Sequence, residues 1–246
     1  MIEVSKLLKV FDEVIAVDQL DVHLEAGEVL GLVGVNGAGK TTLLRMLAGI
    51  LQPTAGTIKI AGHLMTSDSA VARKSLAFVP DTPMLFDALT VEEHLTFVGR
   101  LYEVEDAKAR MGPLLNTFDL EDRRATTASA LSRGMRQKVA ICCAFLHEPP
   151  VLLLDEPLTG LDPVGRRRMC NAIAARAEAG AAVIISSHQL EFVERLSSRF
   201  LIIHEGRARA SGTLEEIQAA LGREGLLGSL EEIFLQATDL GEEGPE

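Results

Sequence analysis

Tryptophan is absent, tyrosine occurs once and aromatic residues make up only 4% of the 246. In a chain that is 47% hydrophobic, the core therefore has to be built from Leu, Val, Ile and Ala. A basic excess is also missing: 35 acidic residues outnumber 24 Lys and Arg, for a net charge of −11. This argues against nucleic acid as a partner, because binding a phosphate backbone relies on a basic face. It does not argue against a nucleotide, which needs only a local cradle of donors. No apolar run approaches the ~20 residues of a membrane-spanning helix; Val151–Leu154 and Ala181–Ile185 have strand length. The start, MIEVSKLLKVF, lacks the apolar centre of a signal peptide and reads directly into a strand. Cys142, Cys143 and Cys170 are odd in number and have no metal spacing, which fits a reduced, cytosolic setting. There is no internal repeat. The chain is expected to be soluble on its own, so any membrane role has to come through a partner.

What is present alternates between strand and helix. Val29–Val33 is a fully apolar run suited to a buried parallel strand. It meets the glycine-rich GVNGAGKTT and then a helical segment, Leu43–Ile50. Gln52–Gly56 reads as a turn before a strand at Thr57–Ile60, and Leu76–Val79 as a strand stopped by Pro80. From about Thr90 to Leu146 the pattern is helical, opened by a capping box of Thr90 and Glu93. Strand and helix then alternate through Val151–Leu154, Arg166–Glu178 and Ala182–Ser186. A hairpin turns at Glu205-Gly206 between Phe200–His204 and Arg207–Ser211. An amphipathic helix, Leu230–Ala237, precedes the acidic GEEGPE, which is expected to fray.

Gly34–Thr41 has the spacing of a P-loop: Gly, four residues, then Gly-Lys-Thr. Glycines let successive backbone N–H groups of Gly34, Asn36, Gly37, Ala38, Gly39, Lys40, Thr41 and Thr42 turn toward phosphates, and the following helix adds its positive end. Lys40 would meet the β- and γ-phosphates of ATP, and the Thr41 hydroxyl would ligate Mg²⁺. Asp155 closes the apolar run Val-Leu-Leu-Leu, where a strand end faces the ligand crevice of an α/β fold, and suits Mg²⁺. Glu156, next to it, is placed to accept a proton from an attacking water. The expected fold is α/β: a P-loop NTPase core with a mixed sheet, an N-terminal antiparallel β portion and an inserted α-helical subdomain. One domain is expected over 1–246, with core 1–81 and 150–215, helical subdomain about 82–149, and C-terminal helix and tail 216–246.

With these residues the chain resembles the nucleotide-binding subunit of ABC transporters along nearly its whole length. LSRGMRQKVAI, Leu131–Ile141, is similar to the family's signature, usually Leu-Ser-Gly-Gly-Gln; Ser132 and Gly134 match, Arg133 and Met135 depart. LTGLD, Leu158–Asp162, resembles the loop that crosses between the two ATP sites of the family's dimer. His188 matches a switch histidine that contacts the γ-phosphate. Phe11 stands where the family stacks an aromatic on adenine, although a Phe closing a strand is more often core. The family's loop between core and helical subdomain carries Gln after a Pro; here AFVPDTP puts Asp81 there, a carboxylate that could approach the metal but would repel phosphate unless a cation intervenes.

The resemblance implies a catalytic set of Glu156, His188 and Lys40, nucleotide contacts from the P-loop, Phe11, Ser132 and Gly134, and metal contacts from Thr41, Asp155 and Asp81. It also implies a dimer of ATPase subunits, since each motif occurs once, and a separately encoded integral-membrane permease. The chain would then sit on the cytoplasmic side, peripheral on the inner face of the membrane through that partner. The signature and the tail SLEEIFLQAT, Ser229–Thr238, resemble exporters of drugs, lipids or polysaccharides. The alternatives are a soluble ABC ATPase acting on a macromolecular complex and a different P-loop enzyme such as a small-molecule kinase. The apolar loop Asp81–Val91, with Pro83, Met84, Leu85, Phe86 and Leu89, is the expected docking surface for the permease.

Overall fold

The computed structural model describes residues 1–221 and 228–238. An antiparallel sheet forms first. β1 (Ile2–Phe11) pairs with β2 (Val14–Leu24), Ile2 opposite Leu24, and with β4 (Ala55–Ile60), Ile2 opposite Ile60; β5 (His63–Leu64) is its short edge. The second sheet has six strands in the order β10-β9-β3-β8-β7-β6. These are β3 (Val29–Val33), β6 (Leu76–Val79), β7 (Val151–Asp155), β8 (Ala182–Ser186), β9 (Arg199–His204) and β10 (Arg207–Gly212). All its pairings are parallel except that of β10 with β9, the hairpin around Glu205-Gly206. The expected mixed sheet and antiparallel N-terminal portion are both present.

Every residue of β3, β7 and β8 is buried, because helices or the other sheet cover both faces. Alternate side chains serve opposite sides. Val151, Leu153, Ala182 and Ile184 pack toward the antiparallel sheet and α1 (Lys40–Leu47). Leu152, Leu154, Val183 and Ile185 pack with α3 (Val91–Leu101), α4 (Ala107–Thr117), α5 (Arg133–Leu146) and α6 (Pro163–Glu178). The three helices α3 to α5 fill the chain between β6 and β7, and the Thr90–Glu93 capping box forms with both of its bonds. A smaller cluster joins Val33, Phe200 and Ile202 to α7 (Leu190–Leu196), α8 (Leu214–Ala220) and α9 (Leu230–Ala237), with Leu230 and Ile233 fully buried. The amphipathic helix at 230–237 thus packs on the chain itself. The terminal GEEGPE lies outside the described residues.

Two helices begin earlier than their apolar periodicity suggests. α1 starts at Lys40 rather than Leu43 and ends at Leu47, ahead of Gly49 at φ +69°. α6 starts at Pro163 rather than Arg166, because Asp162 accepts the Gly165 N–H and Pro at the first position needs no partner for its nitrogen. α2 (Ala70–Lys74), α7 and α8 span five to seven residues, too short to show a helical period.

The parallel register has one consequence for the site. β3, β8, β7 and β6 end on the same edge, Asp155 lying beside Ser186 and Val79 beside Leu154. The loops that begin at Gly34, Ser187, Glu156 and Pro80 therefore converge there, where open α/β sheets bind ligands.

Candidate functional site

A cleft of about 260 Å³ opens on that edge, lined by Ala16, Asn36, Gly37, Gly39, Lys40, Thr41, Thr42, Asp81, Asp155 and Glu156. The glycine-rich loop is pressed against β2. A Cβ on Gly39 would come within 2.3 Å of the Ala16 carbonyl oxygen, and its φ of +107° is left-handed. Lys40 Nζ donates to the carbonyls of Gly34 at 2.6 Å and Val35 at 3.0 Å, closing the loop around its own ammonium. Burial pushes that ammonium's pKa down, while the charges of Glu156 and Asp155 pull it back up.

Asp155 is only 3% exposed and fully partnered on the protein side. Thr41 Oγ1 donates to Oδ2 at 2.8 Å, and Ser186 Oγ donates to Oδ1 in a short hydrogen bond. Glu156 follows at φ +49°, a left-handed backbone that costs a non-glycine residue of order 1–3 kcal/mol. Its carboxylate accepts from the His188 N–H and Nδ1, both at 2.9 Å, and from Ser187 Oγ at 3.2 Å. Its own N–H donates to the Ser186 carbonyl at 2.9 Å. The carboxylate is thus locked at the rim of the cleft, with His188 beside it and exposed to solvent.

The family model described as "ABC transporter" matches residues 17–159, more than half of the chain. The chain belongs to the ABC transporter family. It is 37% identical to the ABC-type transporter ATP-binding protein EcsA of Bacillus subtilis (strain 168) over 89% of this chain and 90% of that protein. It is 37% identical to the daunorubicin/doxorubicin resistance ATP-binding protein DrrA of Streptomyces peucetius, over 90% of this chain and 68% of that protein. Among solved structures, an ATP-binding subunit of an ABC transporter superposes with a TM-score of 0.92 at 35% identity, covering 96% of this chain and 99% of that one. The chain is therefore an ABC ATPase, the ATP-hydrolysing subunit that powers a transporter.

The remaining ABC-type positions are distributed around this cleft. Ser132 caps α5, accepting the Met135 N–H at 3.3 Å, and is exposed. Gly134 is buried against the loop before α6: a Cβ there would meet the Gly160 carbonyl oxygen at 2.3 Å. Neither lines the cleft. Phe11 is 43% exposed at the end of β1 with Lys9 Nζ 4.8 Å above its ring, and it too lies outside the cleft lining. Asp81 does line the cleft, and its carboxylate lies 3.1 Å from the Arg133 guanidinium.

Sequence reasoning missed Ser186 and Ser187. A serine closing an apolar strand and a serine just after it look ordinary; only the pairing of β8 with β7 sets them against Asp155 and Glu156. Ala16 was also missed, since its contribution is a backbone wall against Gly39.

Proposed function

We propose that this chain is the engine of an exporter, working as a dimer whose ATP sites each combine the cleft of one copy with the α5 N-terminus of the other. The observation that carries this reading is the position of Ser132. It stands exposed on a helix end outside the cleft that holds Lys40, Thr41, Asp155 and Glu156. A hydroxyl and the positive end of a helix suit a γ-phosphate, and a second copy can bring them to it. One neighbour in fold, at 22% identity and a TM-score of 0.79, is a dimeric ATP-binding cassette with ADP and phosphate. The export direction follows the names of similar proteins, among them DrrA and a Nod factor export ATP-binding protein of Paraburkholderia xenovorans (strain LB400), 39% identical over 86% of this chain and 70% of that protein.

In this reading Lys40 and the loop N–H groups of Gly34 to Thr42 hold the phosphates, Glu156 orients the attacking water and accepts its proton, and Phe11 covers the adenine. His188, whose Nδ1 lies 2.9 Å from the Glu156 carboxylate, is the side chain that would contact the γ-phosphate. The residues fit Mg²⁺: Thr41 Oγ1 and Asp155 Oδ2 are hard oxygen donors 2.8 Å apart on the cleft wall, whereas the Asp81 carboxylate is taken up by Arg133. Such an ion is held by one or two protein oxygens plus phosphate, which agrees with the absence of any larger acidic or histidine cluster among the described residues. When bound it would offset the charge developing on the phosphates.

The work of hydrolysis goes to a separately encoded permease, with the chain peripheral on the cytoplasmic face of the membrane. No helix among the described residues is long and apolar enough to cross a membrane. The docking surface is the loop after β6. There Pro83 is buried and Leu85 packs on the core, but Met84 is 94% and Phe86 58% exposed beside an apolar groove of about 400 Å³. The test is co-expression with the membrane protein encoded beside this one. Wild type should pellet with membranes and the Met84→Asp, Phe86→Asp variant should stay in the supernatant. Equal pelleting removes the docking site, and failure to recover any membrane protein with wild type removes the transporter reading.

A further inference from the structure

The cleft carries an electrostatic imbalance at its mouth. Its lining includes one ammonium, Lys40, and three carboxylates, Asp81, Asp155 and Glu156. Asp155 is met by the Thr41 and Ser186 hydroxyls and Glu156 by Ser187 and His188. Asp81 comes from a different element, the loop after β6, and its carboxylate Oδ1 accepts from Arg133 Nη2 at 3.1 Å. Arg133 is the first residue of α5, immediately after Ser132. Two of the residues that depart from the family pattern, in separate stretches of sequence, are thus partners in space.

We propose that Arg133 is a positioning residue that holds and neutralises the Asp81 carboxylate, so that this third acid at the mouth of the cleft does not repel the polyphosphate of ATP. The pair is not there for stability. Its side chains are 59% and 46% exposed, and an exposed pair contributes ~0–1 kcal/mol. Its effect is on the field in the cleft: an unpaired carboxylate there acts directly on the most highly charged part of the substrate.

The test is a double-mutant cycle on the full chain, reading KM for MgATP, Kd for MgATP in the non-hydrolysing Glu156→Gln background, and the thermal unfolding midpoint. Arg133→Gln, which frees the carboxylate, should raise both KM and Kd about fivefold, the order of one incompletely screened charge. Asp81→Asn with Arg133→Gln should return them to within about twofold of wild type, because the repelling charge goes with its partner. Arg133→Lys should recover part of the loss through its charge alone. The midpoint should stay put throughout, which separates positioning from support of the fold. Wild-type KM in Arg133→Gln overturns the proposal. So does a double variant as weak as Arg133→Gln alone, since Arg133 would then act independently of Asp81. Neither outcome touches the ATPase assignment, which wild-type turnover checks separately.

Discussion

The end of β7 and the start of α5 both carry family motifs, yet they are built in opposite ways. At the strand end, Asp155 is 3% exposed and Glu156 is held by three donors from the Ser187–His188 turn. These groups are fixed before any ligand arrives, as catalysis by preorganised charge requires. At the helix start, Ser132 bonds only within its own turn and Arg133 reaches out to Asp81 through solvent-exposed side chains. The first N–H groups of a helix have no partner within it. One region is complete within a single chain, whereas the other leaves Ser132 and Arg133 exposed to solvent. In the dimer proposed above, the first region would be the catalytic half-site and the second the half that another copy supplies.

The sharpest way to break this comparison is Glu156→Gln. If the strand end holds the group that activates water, the rate should fall by about two orders of magnitude or more, ~2.7 kcal/mol of barrier, with MgATP binding retained. Purified protein turning over within about tenfold of wild type would remove Glu156 from that role. Lys40→Ala acts on the same region differently. It should abolish MgATP binding, measured by equilibrium titration, because the phosphate charge loses its buried counter-ion.

Ser132→Arg probes the other half. In the Glu156→Gln background with ATP, light scattering should give a dimer mass, and in ADP a monomer. Adding Ser132→Arg should leave a monomer under both conditions while each chain still binds MgATP in its own cleft. Loss of nucleotide binding by that monomer would show that the two regions are not separable, and the contrast drawn between them would fail.

The same contrast explains what the sequence reveals. The P-loop was legible because its chemistry is written in contiguous residues, Gly34 to Thr42, between a strand and a helix. Asp155 and Glu156 were legible because an apolar run must end somewhere and ends here on two acids. The central strands were legible because burial on both faces leaves them without polar residues. Ser186 and Ser187 were not, because their role depends on which strand β8 lies beside, and local pattern carries no record of that. Arg133 and Asp81 each looked like a lone departure from a pattern; their pairing appears only when the loop after β6 folds onto α5. The short helices α2, α7 and α8 escaped because one or two turns cannot establish a period.

The smallest predicted effect tests how firmly the two regions are joined. Gly134 lies on the first turn of α5, and the Cβ of an alanine there would come within 2.3 Å of the Gly160 carbonyl oxygen and 3.2 Å of its carbon. The obstacle is backbone, so no flexible side chain can swing away, and the loop from Leu158 to Asp162 has to move or α5 has to retreat. That loop is held at its far end by Asp162 capping α6, 2.6 Å from the Gly165 nitrogen. A forced displacement in a packed interior costs about 1–3 kcal/mol. Alanine's better helix propensity offsets up to about 1 kcal/mol of this relative to glycine in a helix interior, and less at the first turn. Gly134→Ala should therefore lower unfolding free energy by a net 0.5–2 kcal/mol or so in denaturant titration, with an unchanged m-value. Because Gly160 also leads back to Glu156 along the chain, the rate should drop as well, though far less than in Glu156→Gln. An alanine variant as stable as wild type would mean that α5 and the loop before α6 are not in rigid contact. The half-site at Ser132 would then be free to move independently of the strand end that holds Glu156.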